Sequence, residues 1–351
     1  MCLYPKLFTN KKYTANKKNG GVIPAITDNR VLVVPIKCGN CIECRKQKAR
    51  EWQVRLLEDI KTNKQGQFVT LTFDRKNISE LRTKVINETW KEINKITNNT
   101  KLDINKRNKI INKLKLNTYG YGLDNEAAKK GVRYFLERWR KEHKKSVRHW
   151  LVTELGQTGT EHIHIHGIIW TNKPKDIEKH WKYGYVWDGY MENEKRINYV
   201  NEQTINYITK YIHKVDSIHK MYKPIILTSS GIGANYTESY NSKLNRYQPN
   251  KTKETYTTKT GHKIGMPIYW RNKIYSEEER EKLWIEKLDK QERWIMGEKV
   301  DISKGEENYY KLLKYYQQYN VNMGYNDNRN NWEKLKYENE RRALITNVKR
   351  Q

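Results

Sequence analysis

The sequence is poor in the features that mark membrane proteins and secreted disulfide scaffolds. It has no run of about 18 apolar residues, and residues 1–6 lack the apolar core of a secretory signal. Only 4 of the 351 residues are cysteines, and all lie in the first 44 positions, unlike a secreted disulfide framework. We therefore predict a protein that stays in the reducing cytoplasm where it is made.

Acidic residues are scarce relative to basic ones. The chain has 40 Asp and Glu against 69 Lys and Arg, which gives a formal net charge of +29. Such a charge repels itself unless a polyanion binds, so nucleic acid is the leading predicted partner and a membrane is not. The 11 Trp and 25 Tyr still allow a substantial hydrophobic core.

The four cysteines have the pattern expected of a single metal site. Cys38 and Cys41 flank a Gly-Asn turn, Cys44 follows at the start of a predicted helix, and Cys2 can fold back to complete the set. Four thiolates suit a structural Zn²⁺ ion. An iron–sulfur cluster can use the same ligands, and free reduced thiols are a third interpretation.

Hydrophobic periodicity predicts an α+β fold. Helices are predicted over about 45–61, 125–144 and 201–215, with a helical insertion at about 77–117. Strands are predicted over 68–74, 147–155, 162–170 and 224–230, and a glycine-containing turn at 156–159 joins the second and third as a hairpin.

The rest of the chain divides around this core. We predict a Cys-rich knuckle over residues 1–45, a core over 46–230 and a basic, mostly helical extension over 231–351. Within the extension, Ser276 and Glu279 form a capping box for a helix that carries Leu283 and Ile295.

The segment 162–170 alternates histidine with isoleucine. Because successive strand residues face opposite sides, His162, His164 and His166 share one face. Two of them, about 6.6 Å apart at Cα, can bind one ion, and Glu154 on the neighbouring strand can add a carboxylate. Such an ion can act as a Lewis acid on a phosphodiester. The ordinary alternative is a strand whose histidines face solvent or protein partners.

The helix predicted over 201–215 carries candidate nucleophiles. Tyr207, Lys210, Tyr211 and Lys214 lie at spacings that place them on one helix face. A phenolate can attack phosphorus and form a phosphotyrosine ester, and the lysines can stabilise the phenolate or hold the phosphate. The ordinary alternative is an amphipathic helix whose tyrosines pack on the sheet and whose lysines reach solvent.

Together these segments resemble the three ordered motifs of HUH endonucleases. The motifs are the strand with Thr70-Leu71-Thr72, the segment from His164 to Trp170, and the segment Tyr207-Ile208-Thr209-Lys210-Tyr211-Ile212-His213-Lys214. The last form is similar to the replication initiators of microviruses. The start of the chain and the knuckle Cys38-Gly39-Asn40-Cys41-Ile42-Glu43-Cys44-Arg45 resemble the gokushovirus-like branch of these single-stranded DNA phages.

The resemblance implies a fold and an activity. HUH proteins fold as a central antiparallel sheet flanked by helices, and they nick single-stranded DNA at a viral origin and rejoin the ends during rolling-circle replication. A divalent ion, Mg²⁺ or Mn²⁺, positions the scissile phosphate, one tyrosine keeps the 5′ end as a phosphotyrosine, and the second serves the next round. The expected setting is the cytoplasm of an infected bacterial host, with the helicase and polymerase of that host as partners.

The resemblance also assigns roles to individual residues. His164 and His166 match the metal pair, with Glu154 beside them, and Tyr207, Tyr211 and the intervening Lys210 match the catalytic helix. The DNA-binding residues expected are Lys214, Thr70 and Thr72. One departure concerns His162, because HUH proteins often have Arg-Pro before the first metal histidine and this chain has His162-Ile163. The pair His162 and His164 therefore remains an alternative.

Two other functions fit parts of the pattern. A non-catalytic single-strand binder would use the basic surface and stack bases on the Tyr/Trp-rich stretch 181–190. A plasmid relaxase or transposase would use the same chemistry in another setting. Two tyrosines on one helix favour the replication initiator over a single-tyrosine enzyme.

Overall fold

A computed structural model describes residues 2–156, 161–193, 195–215, 219, 222–325 and 332–350. In chain order the first elements are β1 (Lys6–Thr9), β2 (Val33–Ile36), α1 (Ile42–Thr62), β3 (Gly66–Leu71), α2 (Arg75–Thr97), α3 (Ile104–Lys115), α4 (Gly120–His143), β4 (Arg148–Leu155), β5 (Ile163–Trp170) and α5 (Lys175–His180). They are followed by β6 (Val186–Trp187), β7 (Tyr190–Glu192), β8 (Lys195–Ile197), α6 (Glu202–His213), β9 (Ile226–Thr228), α7 (Tyr240–Lys243), β10 (Thr255–Thr257), β11 (Lys263–Gly265), α8 (Ile268–Ile274), α9 (Glu277–Asp289), β12 (Glu292–Ile295), β13 (Glu298–Asp301), α10 (Glu307–Asn322) and α11 (Lys334–Lys349). Short 3-10 helices lie at Lys11–Tyr13, Lys17–Asn19, Asn29–Val31 and Ala234–Glu238.

The chain divides into two compact units. The first comprises Met1–Val54, Val215–Lys220 and Tyr236–Gln351, and the second comprises Arg55–Lys214 and Met221–Asn235. The N-terminal cysteines and the C-terminal helices therefore share the first unit, and the histidine strand and the tyrosine helix share the second.

The second unit is built on an antiparallel sheet of five strands. Their order is β6, β3, β5, β4 and β9, so β5 is the central strand. The predicted α+β fold with a helix-flanked antiparallel sheet is confirmed. The hairpin partners β4 and β5 pair as predicted, although residues 157–160 of the predicted turn lie outside the described residues.

The hydrophobic core of the second unit lies on one face of this sheet. Its buried side chains include Ile163 and Ile165 of β5 and Val132, Phe135 and Trp139 of α4. These α4 residues are spaced by three and four positions, which places them on the helix face that packs on the sheet. Burial of this apolar face holds the central strand in place.

The helical insertion begins where β3 ends. The sequence predicted a strand through residue 74, but β3 ends at Leu71 and the side chain of Asp74 accepts a hydrogen bond from the N–H of Asn77. Asp74 is therefore the N-cap of α2, and this capping preference outweighs strand continuation. α2 and α3 form the predicted helical pair, and α2 packs against α4.

The opposite sheet face is partly covered by α6. Its N-cap is Asn201, which forms a reciprocal capping box with Thr204. Ile205, Ile208 and Ile212 are buried, and α6 contacts β4. This packing fixes which side of the helix faces the open part of the sheet.

The first unit contains more strands than the sequence predicted. α9 begins at the predicted capping box but ends at Asp289, so the prediction that Ile295 belongs to this helix was wrong. Ile295 is buried on β12, which pairs with β13. The turn between them has positive φ angles at Met296 (51°) and Gly297 (95°), the geometry of a two-residue hairpin turn.

No helix within the described parts of the chain is both long enough and apolar enough to cross a bilayer.

Candidate active site

The alternation of β5 divides its side chains between the core and an open cleft. Ile163 and Ile165 are buried in the core, whereas His164 and His166 line a cleft of about 920 Å³ on the other sheet face. His164 pairs in register with Glu154 of β4, and His166 pairs with Thr70 of β3. The register of the sheet therefore brings two imidazoles, a carboxylate and a hydroxyl together.

Both ring nitrogens of His166 have partners. Nδ1 lies 2.9 Å from Oγ1 of Thr70, and Nε2 lies 3.0 Å from Oε2 of Glu154. These contacts on both sides fix the orientation of the ring. Thr70 was predicted to bind DNA, and the structure places its hydroxyl on His166.

Glu154 connects the histidines to α6. Its second oxygen, Oε1, accepts a hydrogen bond of 3.1 Å from Nζ of Lys214. Burial opposes ionisation of this carboxyl, but the hydrogen bonds from His166 and Lys214 outweigh it and lower the pKa of Glu154. The site therefore holds a carboxylate whose charge is stabilised by its neighbours.

His164 and His162 occupy different environments. Burial, together with the nearby His166, lowers the pKa of His164 below its ordinary value, which favours the neutral imidazole. His162 lies before the start of β5. Among the described residues that line the cleft are His164 and His166, but not His162.

The two tyrosines of α6 differ in exposure. Tyr211 is 7% exposed and stacks on His166, with ring centroids 4.7 Å apart. Tyr207 is 43% exposed and contacts Phe68 edge to face. The Tyr211 hydroxyl donates a short hydrogen bond to the Tyr207 oxygen. Burial and this hydrogen bond raise the pKa of Tyr211.

Both lysines of the helix face lie against the tyrosine rings. Nζ of Lys210 is 4.9 Å from the ring centroid of Tyr207 and 5.9 Å from that of Tyr211. Nζ of Lys214 is 5.7 Å from the Tyr211 centroid. The four residues that the sequence placed on one face are thus adjacent, and the cations lie where they can stabilise negative charge on a phenol oxygen.

Aromatic side chains form the rim of the cleft. Tyr185, Tyr190 and Tyr199 line it and are 66%, 72% and 66% exposed. The sequence indicated the stretch 181–190 as a stacking surface, but its residues Trp181 and Tyr183 are buried in the core. Tyr199 was missed because a single tyrosine before a helix has no distinctive spacing.

Thr72 also lines the cleft, but its hydroxyl is bonded within the protein. Oγ1 of Thr72 donates to the carbonyl of Tyr185 at 3.0 Å and accepts from the N–H of the same residue at 2.8 Å. The two bonds hold the segment that carries Tyr185 beside β3. Thr72 therefore shapes one wall of the cleft.

The donor set of the cleft fits a hard divalent ion. Two cis ligands of an octahedral Mg²⁺ or Mn²⁺ ion, each bound at about 2.1 Å, lie about 3.0 Å apart. The distance between Nε2 of His166 and Oε2 of Glu154 is 3.0 Å. If Nδ1 of His166 donates to Thr70, Nε2 presents its lone pair beside Glu154, which is the orientation that metal-binding histidines require.

The cysteines of the first unit converge as the sequence predicted. Cys2, Cys38, Cys41 and Cys44 form one group whose sulfur atoms all lie within 4.8 Å of one another. The Sγ–Sγ distances are 4.0 Å for Cys2–Cys41 and 3.9 Å for Cys38–Cys44. A tetrahedral Zn²⁺ ion with bonds of about 2.3 Å requires about 3.8 Å between sulfurs.

Backbone N–H groups surround two of these sulfurs. The amides of Tyr4 and Cys38 donate to Sγ of Cys2, and those of Asn40 and Cys41 donate to Sγ of Cys38. Gly39 has a φ of 79°, which permits the tight turn between the two knuckle cysteines. N–H donors stabilise thiolate charge, so the group fits a metal ion such as Zn²⁺.

The second unit thus combines two histidines, a carboxylate and two tyrosines in one basic, aromatic-rimmed cleft, an arrangement suited to phosphoryl transfer. Residues 115–216 match the family model of the ORF2-type replication-associated proteins. The match includes Glu154, His164, His166 and both tyrosines, and it confirms over this segment the resemblance to replication initiators. No curated protein and no solved structure matches the chain.

Proposed function

We propose that this chain is an HUH endonuclease that initiates rolling-circle replication by nicking single-stranded DNA and rejoining the ends. The observation that carries the proposal is the stack of Tyr211 on His166, which joins the tyrosine helix to the metal-compatible strand. The match of residues 115–216 to the replication-associated family supports it. By resemblance, the DNA is the origin of a microvirus-like genome, and the host supplies helicase and polymerase.

Tyr207 is the nucleophile of the first cleavage in this proposal. It is the exposed member of the pair, so a phosphodiester in the cleft can reach its oxygen. The hydrogen bond from Tyr211 and the cation of Lys210 both stabilise a phenolate at Tyr207. Because Tyr211 donates to the Tyr207 oxygen, the proton of Tyr207 itself leaves toward solvent in the cleft.

The cleavage step is a displacement at phosphorus. The Tyr207 oxygen forms a bond to phosphorus, the bond from phosphorus to the 3′ oxygen breaks, and the 3′ oxygen takes up a proton. His164, His166 and Glu154 would hold a divalent cation, which supplies Lewis-acid stabilisation of the phosphate charge. The 5′ end stays on Tyr207, and Tyr211 is the acceptor in the later transfer.

Binding of the strand uses different residues from the chemistry. The exposed rings of Tyr185, Tyr190 and Tyr199 provide stacking surfaces for unpaired bases. The net charge of +29 provides affinity for the phosphate backbone without regard to sequence.

A cleavage assay tests the proposal. Single-stranded oligonucleotides that tile the source genome are incubated with the full chain and Mn²⁺ or EDTA, and the products are analysed on denaturing gels and by peptide mass spectrometry. We expect a metal-dependent covalent adduct on Tyr207 with one oligonucleotide. Tight binding of all oligonucleotides without any adduct, with or without the metal, would identify a non-catalytic single-strand binder instead.

A further inference from the structure

A second cluster of histidines and carboxylates lies away from the cleft, where α4 ends and α5 begins to cover it. Ligand atoms of Glu142, His143 and His180 all lie within 4.8 Å of one another. Asp176 of α5 adjoins them, with Oδ2 at 3.0 Å from Nε2 of His143. The cluster thus contains two imidazoles and two carboxylates.

Both histidine rings are held in place but their Nε2 atoms are not hydrogen-bonded. The side chains of His143 and His180 are 9% and 7% exposed. Trp139 packs on both rings, at centroid distances of 4.5 and 5.7 Å. Within the described residues, neither Nε2 has a hydrogen-bond partner. A buried polar atom left in this state costs about 1–3 kcal/mol unless another ligand satisfies it.

The distances between these nitrogens and the carboxylates are those of neighbouring metal ligands. Nε2 of His180 lies 3.2 Å from Oε2 of Glu142, and Nε2 of His143 lies 3.0 Å from Oδ2 of Asp176. Two ligands of a tetrahedral zinc ion with bonds of about 2.0 Å lie about 3.3 Å apart. The nitrogen–oxygen pairs therefore have ligand spacing but lack hydrogen-bond geometry.

Lys179 orients one carboxylate for this role. Its Nζ donates to Oε1 of Glu142 at 2.7 Å, so the other oxygen, Oε2, is directed toward His180. A second partner that fixes a carboxylate in this way is a regular feature of metal sites.

We propose that Glu142, His143 and His180, with Asp176 as fourth ligand, bind a divalent transition ion of the zinc class. Imidazole nitrogen with carboxylate oxygen is a donor set that Zn²⁺ accepts. Four protein donors close the coordination shell, so the ion is structural. It joins α5 to the end of α4 and so fastens Ile177, which is buried in the core, against the sheet. This site is separate from both the cleft and the cysteine group.

Metal analysis of the full chain tests the proposal. We expect the zinc content to fall by one equivalent in H180A and to stay at the wild-type level in the control H149A, which removes another buried histidine of the same unit. The variant C41S should lose zinc independently, so the two losses should add in the double variant. Unchanged zinc content in H180A overturns the proposal.

Two further measurements cover the case in which H180A does not fold. E142Q removes one ligand from an exposed position, and we expect zinc affinity at this site to weaken by about tenfold or more. Co²⁺ replaces zinc and reports the donors, because thiolate ligation gives intense near-ultraviolet bands and nitrogen–oxygen ligation does not. The proposal fails if E142Q binds zinc like the wild type, or if every Co²⁺ band has thiolate character.

Discussion

The ring of Tyr211 lies nearly parallel to that of His166, with 8° between their planes, and its hydroxyl donates to the oxygen of Tyr207. This contact links the histidine to the exposed tyrosine through the buried one. Tyr211 therefore sits between the metal-compatible group and the proposed nucleophile, and the two tyrosines should not be interchangeable in the first cleavage.

The first prediction separates the two tyrosines. Y207F should form no covalent adduct in a single-turnover cleavage assay, because the attacking oxygen is missing. Y211F should still form the adduct on Tyr207 but about tenfold more slowly, as expected for loss of one hydrogen bond of about 1.5 kcal/mol to a charged oxygen. An adduct on Tyr211 in the wild type, with full activity of Y207F, would reverse the assignment.

The second prediction concerns the hydroxyl that orients His166. T70V should raise the Mn²⁺ concentration needed for half-maximal cleavage by about 10- to 100-fold, because the ring loses the partner of its Nδ1. Cleavage at saturating Mn²⁺ should recover. T70S keeps the hydroxyl and is the matched control. Equal Mn²⁺ requirements for T70V, T70S and the wild type would remove Thr70 from the site.

The third prediction distinguishes binding from chemistry. H166A should abolish cleavage while the logarithm of DNA affinity keeps the wild-type dependence on the logarithm of salt concentration, because Lys and Arg contacts to phosphates set that slope. Fluorescence anisotropy with a labelled oligonucleotide at several salt concentrations measures it. A parallel loss of binding and cleavage in H166A would indicate a folding role for the histidine.

The fourth prediction tests the cysteine group. C41S should lose one equivalent of zinc, and its first unit should unfold at a lower temperature, because metal binding to four thiolates contributes directly to folding. A chelator should shift the wild type toward the C41S melting curve and leave C41S itself unchanged. Retention of full zinc content and melting temperature in C41S would favour free thiols.

The fifth prediction is a dependence of stability on pH at His149. Burial lowers the pKa of His149 below its usual value of 6.5, so the unfolded chain takes up the proton first as pH falls. The free energy of unfolding should therefore decrease below pH 6.5, and His149 should contribute up to about 1.4 kcal/mol per pH unit. Urea unfolding of H149Q should show a shallower dependence, whereas H262Q, at an exposed position, should retain the wild-type one.

Much of the second unit could be predicted from the sequence. The alternation of His and Ile over 162–170 and the helical spacing of Tyr207 and Tyr211 are local patterns, and local periodicity determines which side chains share a face. The pairing of Glu154 with His164 followed from a short hairpin, which fixes register. These features predicted the antiparallel sheet and the proximity of the site residues.

Other features depend on contacts that no local pattern contains. The cluster at Glu142 and His180 joins residues 38 positions apart through the packing of α5 on α4, and neither segment has metal-ligand spacing by itself. The difference in exposure between Tyr207 and Tyr211 arises from the depth of α6 on the sheet. The hairpin of β12 and β13 was missed because its turn, Met296-Gly297, is not one of the usual turn dipeptides.

The strict alternation along β5 has a consequence for quality control during folding. A slip of one residue relative to β4 would turn the isoleucines into the wet cleft and bury the histidines in hydrocarbon. Gly167 adds to this discrimination, because a Cβ there would lie 2.1 Å from the carbonyl oxygen of Trp150 in the native register. A chain that settles in the wrong alignment is therefore both unstable and inactive, so nicking activity reports correct strand alignment.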